Sequence, residues 1–163
     1  MEDLAKRVGE RLAASEQVLA IAESCTGGWV AQAVTAIAGS SDWFDRGFVT
    51  YSNDAKQEML GVRADTLARH GAVSEHTARE MAQGALARSK ATVALAVTGV
   101  AGPGGGSTEK PVGMVCFAWA SRQTTRTETI HFSGDRESVR RQSVVHALEG
   151  VLKLLTAAAS GHT

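Results

Sequence analysis

Strands that alternate with helices, followed by a hairpin and one long closing helix, predict an α/β fold. The expected form is a three-layer α/β/α sandwich around a mixed, mostly parallel sheet. Two apolar runs, residues 18–21 and 92–100, are too unbroken for half-exposed strands and read as strands covered on both faces. Between and after them lie helix-period segments. The pair 112–120 and 125–132, joined through Ser121-Arg122-Gln123-Thr124, reads as a hairpin whose second strand alternates polar and apolar residues at the sheet edge. Nothing along the 163 residues suggests a linker or repeat, so a single domain is expected over 1–163.

The elements follow in order. Leu4, Val8 and Leu12 recur at helical spacing and open the chain with an amphipathic helix. The first strand runs into Ala22-Glu23-Ser24-Cys25-Thr26-Gly27-Gly28, a turn of small residues, and a helix over 26–37 stops at Gly39. Gly39-Ser40-Ser41-Asp42 is a turn rich in capping residues. Aromatic and β-branched residues place the second strand over 48–51, and Asn53 is the expected cap of a short helix over 54–60. A further short helix, 65–70, closes at Gly71. A longer one, 74–89, puts small apolar residues on one face. The loop Ala101-Gly102-Pro103-Gly104-Gly105-Gly106-Ser107 follows the second covered strand, and the last helix covers 135–158 with the tail 160–163 loose.

Composition narrows the function. Formal net charge is zero, which argues against a broad nucleic-acid surface. No apolar run approaches the roughly 20 residues of a membrane helix, and the charged first residues do not read as a signal peptide. Two cysteines, Cys25 and Cys116, make neither a disulfide framework nor a metal spacing, which fits reduced thiols in a cytoplasmic protein. The five histidines fall in different elements, so no metal is expected; neither a Gly-x-x-x-x-Gly-Lys-Ser/Thr nor a convincing Gly-x-Gly-x-x-Gly pattern is present, and no cofactor is expected.

Ligands of open α/β sheets bind at the carboxyl ends of strands. The Ser24 turn and the Gly102–Gly106 loop should share that edge. Ser24, Thr26, Gly27 and Gly28 offer hydroxyls and N–H groups to an anion, or act as an ordinary helix cap. Gly102 and Gly105 leave backbone free to wrap a phosphate or ribose, or form a plain surface loop. Lys56 stands on the first turn of a helix, where the dipole disfavours a cation and lowers its proton affinity. It is then either a base toward a serine or a solvated lysine. Tyr51 can donate to an oxyanion or pack at the rim. Ser40 and Ser41 compete with Ser24 as nucleophile or cap the turn. Arg136 and Arg140 can clamp a phosphate or pair with Asp135 and Glu137, and Lys110 can reach the same anion. Cys25 at a helix start is a weaker nucleophile candidate for want of a partner histidine.

Taken together, Ala22-Glu23-Ser24-Cys25-Thr26-Gly27-Gly28, Gly39-Ser40-Ser41-Asp42-Trp43-Phe44, the run 47–56, Gly71-Ala72-Val73-Ser74-Glu75, Thr98-Gly99-Val100-Ala101-Gly102-Pro103, Lys110-Pro111-Val112-Gly113 and Gly134-Asp135-Arg136 resemble the CinA C-terminal domain family. They cover nearly the whole chain in order, without the molybdopterin-binding-like domain that precedes it in longer members. The resemblance implies the α/β/α fold and a metal-independent serine–lysine amidase. That enzyme hydrolyses the carboxamide of nicotinamide mononucleotide to nicotinate mononucleotide and ammonia, within pyridine nucleotide (NAD) recycling. It also implies a site of Ser24, Ser41, Tyr51 and Lys56, with Arg136 on the phosphate. The expected chemistry is attack by Ser41, with Lys56 taking its proton and returning one to ammonia directly or through Ser24 or Tyr51. Which serine attacks stays open. The expected partner is the small-molecule substrate, with no nucleic acid and no membrane, in a homodimer or higher homo-oligomer. The competing reading is a non-catalytic nucleotide-binding regulatory module of the competence/damage-inducible kind.

Overall fold

The computed structural model describes residues 1–160; the tail from residue 161 lies outside the described residues. The chain runs α1 (Glu2–Ala14), β1 (Leu19–Glu23), α2 (Trp29–Thr35), a 3₁₀ turn (Ser40–Asp42), β2 (Phe44–Val49), α3 (Asn53–Leu60), α4 (Ala64–His70), α5 (Glu75–Ala87), β3 (Val93–Gly99), β4 (Met114–Ser121), β5 (Thr125–His131) and α6 (Arg136–Ser160). The five strands form one sheet in the order β2-β1-β3-β4-β5. β2, β1 and β3 are mutually parallel, and β4 is antiparallel to both β3 and β5. Four strands therefore point the same way, and the sheet is mixed as expected.

The covered strands carry a two-sided code that their unbroken hydrophobicity hides. One face presents Leu19, Ile21, Val93, Leu95, Val97, Val115, Phe117 and Trp119, packed against α1, α2 and α6. The other presents Ala20, Ala22, Ala94, Ala96, Cys116, Ala118 and Ala120, packed against α3 and α5. Successive strand residues alternate faces, so large and small residues sort into a thick layer and a thin one. Small residues on α5 (Ala78, Ala82, Ala85) complete the thin layer, which lets helix and sheet backbones approach closely.

That thin layer also sets α3. Gly84 of α5 lies under the last carbonyl of α3; an added Cβ would sit 2.0 Å from the Leu60 oxygen. Gly84→Ala is expected to cost about 2 kcal/mol despite its better helix propensity, because a backbone carbonyl cannot rotate away as a side chain can. Urea denaturation reads this, and a neutral result would show that α3 slides freely on α5.

Most boundaries shift by one or two residues, and three differences from the sequence expectation have a clear physical cause. β2 begins at Phe44 rather than Phe48, because Phe44 pairs with Leu19 and draws in Asp45-Arg46-Gly47. α2 is shorter because residues 26–28 are taken up by the preceding turn. The cap of α3 is Ser52, whose Oγ accepts from the Ala55 N–H at 3.0 Å; Asn53 is the first helical residue. Among the described residues, no helix is long and apolar enough to cross a membrane.

Candidate active site

Three parallel strands deliver the site. β1, β3 and β2 end at one edge of the sheet, and Ser24, Thr98-Gly99 and Tyr51 follow or close them there. The two loops expected to share an edge do so. A cavity of about 240 Å³ opens between them, lined among others by Ser24, Cys25, Tyr51, Lys56, Thr98 and Arg136.

Lys56 is its centre. The side chain is only 1% exposed, against the solvated alternative. Its Nζ lies 2.9 Å from Ser24 Oγ, 2.8 Å from the Thr50 carbonyl and 3.4 Å from the Tyr51 carbonyl. Among the described residues no carboxylate makes an ion pair with it. Burial without a counter-ion pushes its pKa down from 10.5 to about 8. The sequence pointed to the helix dipole for this shift; desolvation is the cause. A neutral amine has two N–H bonds and one lone pair. Two carbonyls take the two N–H bonds, which leaves the lone pair for Ser24.

The turn after β1 is built on a residue to which the sequence reading gave no role. The buried carboxylate of Glu23 accepts from the Thr26 hydroxyl at 2.6 Å and from the N–H groups of Gly28 (3.2 Å), Val30 (2.9 Å) and Ala31 (2.9 Å). The chain thus caps α2 with its own anion. Gly27, at φ +59°, donates instead to the Ser24 carbonyl. The Thr26 hydroxyl and the Gly27 and Gly28 N–H groups, expected to bind substrate, are spent inside the turn. An acidic residue just before a small-residue turn and a helix start was the available signal.

Ser41 is not brought to Lys56 within the chain. It precedes β2 and sits exposed at the opposite edge of the sheet, a β1 length away, roughly 16 Å at about 3.3 Å per residue. Ser40 lies in the same 3₁₀ turn, buried. Tyr51 is 64% exposed, and its hydroxyl accepts from Arg136 at 3.4 Å. The same guanidinium donates to the Gly102 carbonyl at 2.8 Å, so Arg136 spans the mouth rather than pairing with Asp135 or Glu137. Beyond it opens a second cleft of about 480 Å³, lined by Ala101, Pro103, Val112 and Gly134 to Glu137. Gly105 lies in the exposed part of its loop. Lys110 donates to the His70 carbonyl and ties that loop to the end of α4. Cys25 is buried, and desolvation raises its thiol to about 12, which disqualifies it as a nucleophile near neutrality. Among the described residues no group of three or more His, Cys, Asp or Glu side chains is placed to hold a metal ion.

Comparison with known proteins places the chain in a family. Residues 1–155 match the CinA C-terminal domain. The chain is 56% identical over 149 residues to the nicotinamide-nucleotide amidohydrolase PncC of Escherichia coli K12, covering 90% of this chain and 89% of that protein. It is 52% identical over 155 residues to a CinA-like protein of Syntrophobacter fumaroxidans, covering 95% of this chain but 37% of that longer one. The crystal structure of the competence/damage inducible protein CihA from Agrobacterium tumefaciens superposes with a TM-score of 0.92 at 50% identity, over 94% of each chain. The chain belongs to the CinA C-terminal domain family.

Proposed function

We propose that this protein is a nicotinamide-nucleotide amidohydrolase, converting nicotinamide mononucleotide and water to nicotinate mononucleotide and ammonia, with Ser24 as nucleophile and Lys56 as base. The observation that carries the mechanism is the buried, unpaired amine of Lys56, 2.9 Å from a serine hydroxyl at the carboxyl edge of the sheet. The substrate follows from relatives bearing that activity in their names at 50–57% identity over most of this chain.

Ser24 Oγ attacks the carboxamide carbon and its proton passes to Lys56 Nζ. The tetrahedral intermediate collapses, the C–N bond breaks, and Lys56 returns the proton to the departing nitrogen, releasing ammonia. Water then attacks the Ser24 ester. Lys56 takes one proton from the water and restores it to Ser24 Oγ, and the new carboxylic acid gives its remaining proton to the released ammonia or to solvent and leaves as a carboxylate. Arg136 and the Gly102 to Gly105 loop hold the phosphate and ribose in the outer cleft. Their binding energy fixes the amide in the inner cavity.

A buried amine without a counter-ion, in hydrogen-bond contact with a serine hydroxyl, favours this reading over a non-catalytic binding module, because that pairing is the one that activates a nucleophile. Single-domain organisation, assembly into a homo-oligomer and a cytoplasmic setting remain part of the proposal; sedimentation velocity tests the assembly.

The reacting form is the neutral amine, so kcat/KM should rise with pH along one ionisation near 8, about tenfold per unit below it. Ammonia release from nicotinamide mononucleotide between pH 5.5 and 9.5 measures this. A profile flat through pH 6 to 9 removes Lys56 as the base. Thermal stabilisation by the nucleotide without ammonia release supports the binding module instead.

A further inference from the structure

One charged side chain beside the dyad has no part in the steps above. Arg140 stands one turn after Arg136 on α6, yet it faces the Ser24 turn instead of the outer cleft. Its Nε donates to the Cys25 carbonyl at 3.1 Å and its Nη2 to the Thr26 carbonyl at 3.2 Å. The guanidinium carbon lies 5.4 Å from the centre of the Trp29 ring. Two acceptors and a stacked ring therefore fix it in place.

Those two carbonyls belong to the peptides that follow the nucleophile. The Cys25 carbonyl shares a peptide plane with the Thr26 N–H, and in a trans peptide the two point in opposite directions. Fastening the oxygen to α6 turns the Thr26 N–H away from α6. The neighbouring donors are committed: Ser24 N–H to the Val97 carbonyl, Gly27 N–H to the Ser24 carbonyl, and Gly28 N–H to Glu23. Among the described residues, the N–H groups of Cys25 and Thr26 donate to no other residue. They directly follow Ser24, where the oxygen of a carboxamide attached to Ser24 Oγ acquires negative charge.

We propose that Arg140 is a positioning residue for catalysis. It sets and polarises the Cys25–Thr26 peptide so that the Thr26 N–H receives the oxyanion beside the Cys25 N–H, whose own peptide is held by the Gly27 N–H on the Ser24 carbonyl. This rests on the amidase reading of the Ser24–Lys56 pair. It assigns Arg140 a role distinct from the phosphate contact that its nearness to Arg136 suggested.

The test compares Arg140→Met, Arg140→Lys and Arg141→Met. Arg141 also lies over Trp29, at 5.1 Å, and it pairs with Glu137 without touching the turn. Two assays are run on each: kcat and KM for ammonia release from nicotinamide mononucleotide, and acylation of Ser24 by p-nitrophenyl acetate followed by intact mass. Circular dichroism at the assay temperature gives the folded fraction. For Arg140→Met, kcat should fall about 100-fold, the scale of one lost oxyanion donor, with KM within about threefold. Acylation should slow by a similar factor. Arg140→Lys should recover only part of the loss, because an ammonium cannot bridge both carbonyls in one plane. Arg141→Met should match the wild type. A KM increase at unchanged kcat, a kcat loss explained by the unfolded fraction, or an unchanged Arg140→Met overturns the proposal. If the wild type releases no ammonia but acylates at Ser24, the substrate reading fails while the acylation ratio still decides the role of Arg140. If the wild type does not acylate, the proposal falls.

Discussion

Ser24→Ala is expected to lower kcat for ammonia release by at least about 10³-fold, with the fold intact, whereas Ser41→Ala keeps activity within about twofold. The Ser24 hydroxyl makes one hydrogen bond, to Lys56, so its removal leaves no other polar group unpaired. Lys56→Met should match Ser24→Ala in activity, and the double variant should be no worse than either single one, since both remove the same step. Stability moves the other way. The folded state depresses the Lys56 pKa from 10.5 to about 8, so between those values the unfolded chain binds more protons and stability rises with pH. Below about pH 8 the full cost of the buried charge, about 3 kcal/mol, is present. Lys56→Met should therefore raise Tm at pH 7, and the gain should shrink toward pH 10. Mutant activities are read by coupled ammonia assay and Tm by calorimetry. An active Ser24→Ala with an inactive Ser41→Ala would reverse the assignment and require the serine of a second chain at the site.

How far the sequence reaches is best seen at these two serines. Both lie in turns rich in capping residues and both look like nucleophiles. The difference is topological. Ser24 follows β1 and Ser41 precedes β2, and in a parallel pair these are opposite edges. That distinction was available, because the carboxyl-edge rule locates the site after strands and never before them. Residue spacing made Lys56 legible as a base toward some serine, and only the family resemblance placed it in one site with Ser24. Thirty-two positions separate them, and only the parallel pairing of β1 with β2 brings their ends together. The start of β2 was missed because Asp45-Arg46-Gly47 has poor strand propensity, and pairing with β1 at an edge overrides it. The alternation of large and small residues along β1, β3 and β4 was present in the sequence. It is easily overlooked, because both classes are apolar and the run reads as uniform.

Glu23→Ala is expected to be the most destabilising single change in the site, by about 3–5 kcal/mol. The carboxylate is 1% exposed and is the shared acceptor for one hydroxyl and three backbone N–H groups of a short helix start. Water cannot readily replace it, because Thr26 and Val30 are fully buried. Removing the acceptor strands donors that have no alternative partner, and each buried orphan costs about 1–3 kcal/mol, less than additively. Glu23→Gln separates hydrogen bonding from charge. The amide oxygen can keep the Oε1 contacts to Thr26, Gly28 and Val30. Its NH₂ then opposes the Ala31 N–H, so about 1–2 kcal/mol should be lost. Because Ser24 is the next residue, kcat should fall in both variants, and more steeply in Glu23→Ala. Hydrogen exchange should place the loosening in residues 24–31 before it reaches the sheet. A Glu23→Ala protein within about 1 kcal/mol of the wild type in urea would mean that the turn holds its shape without the carboxylate, leaving the Arg140 clamp alone to position the amides beside Ser24.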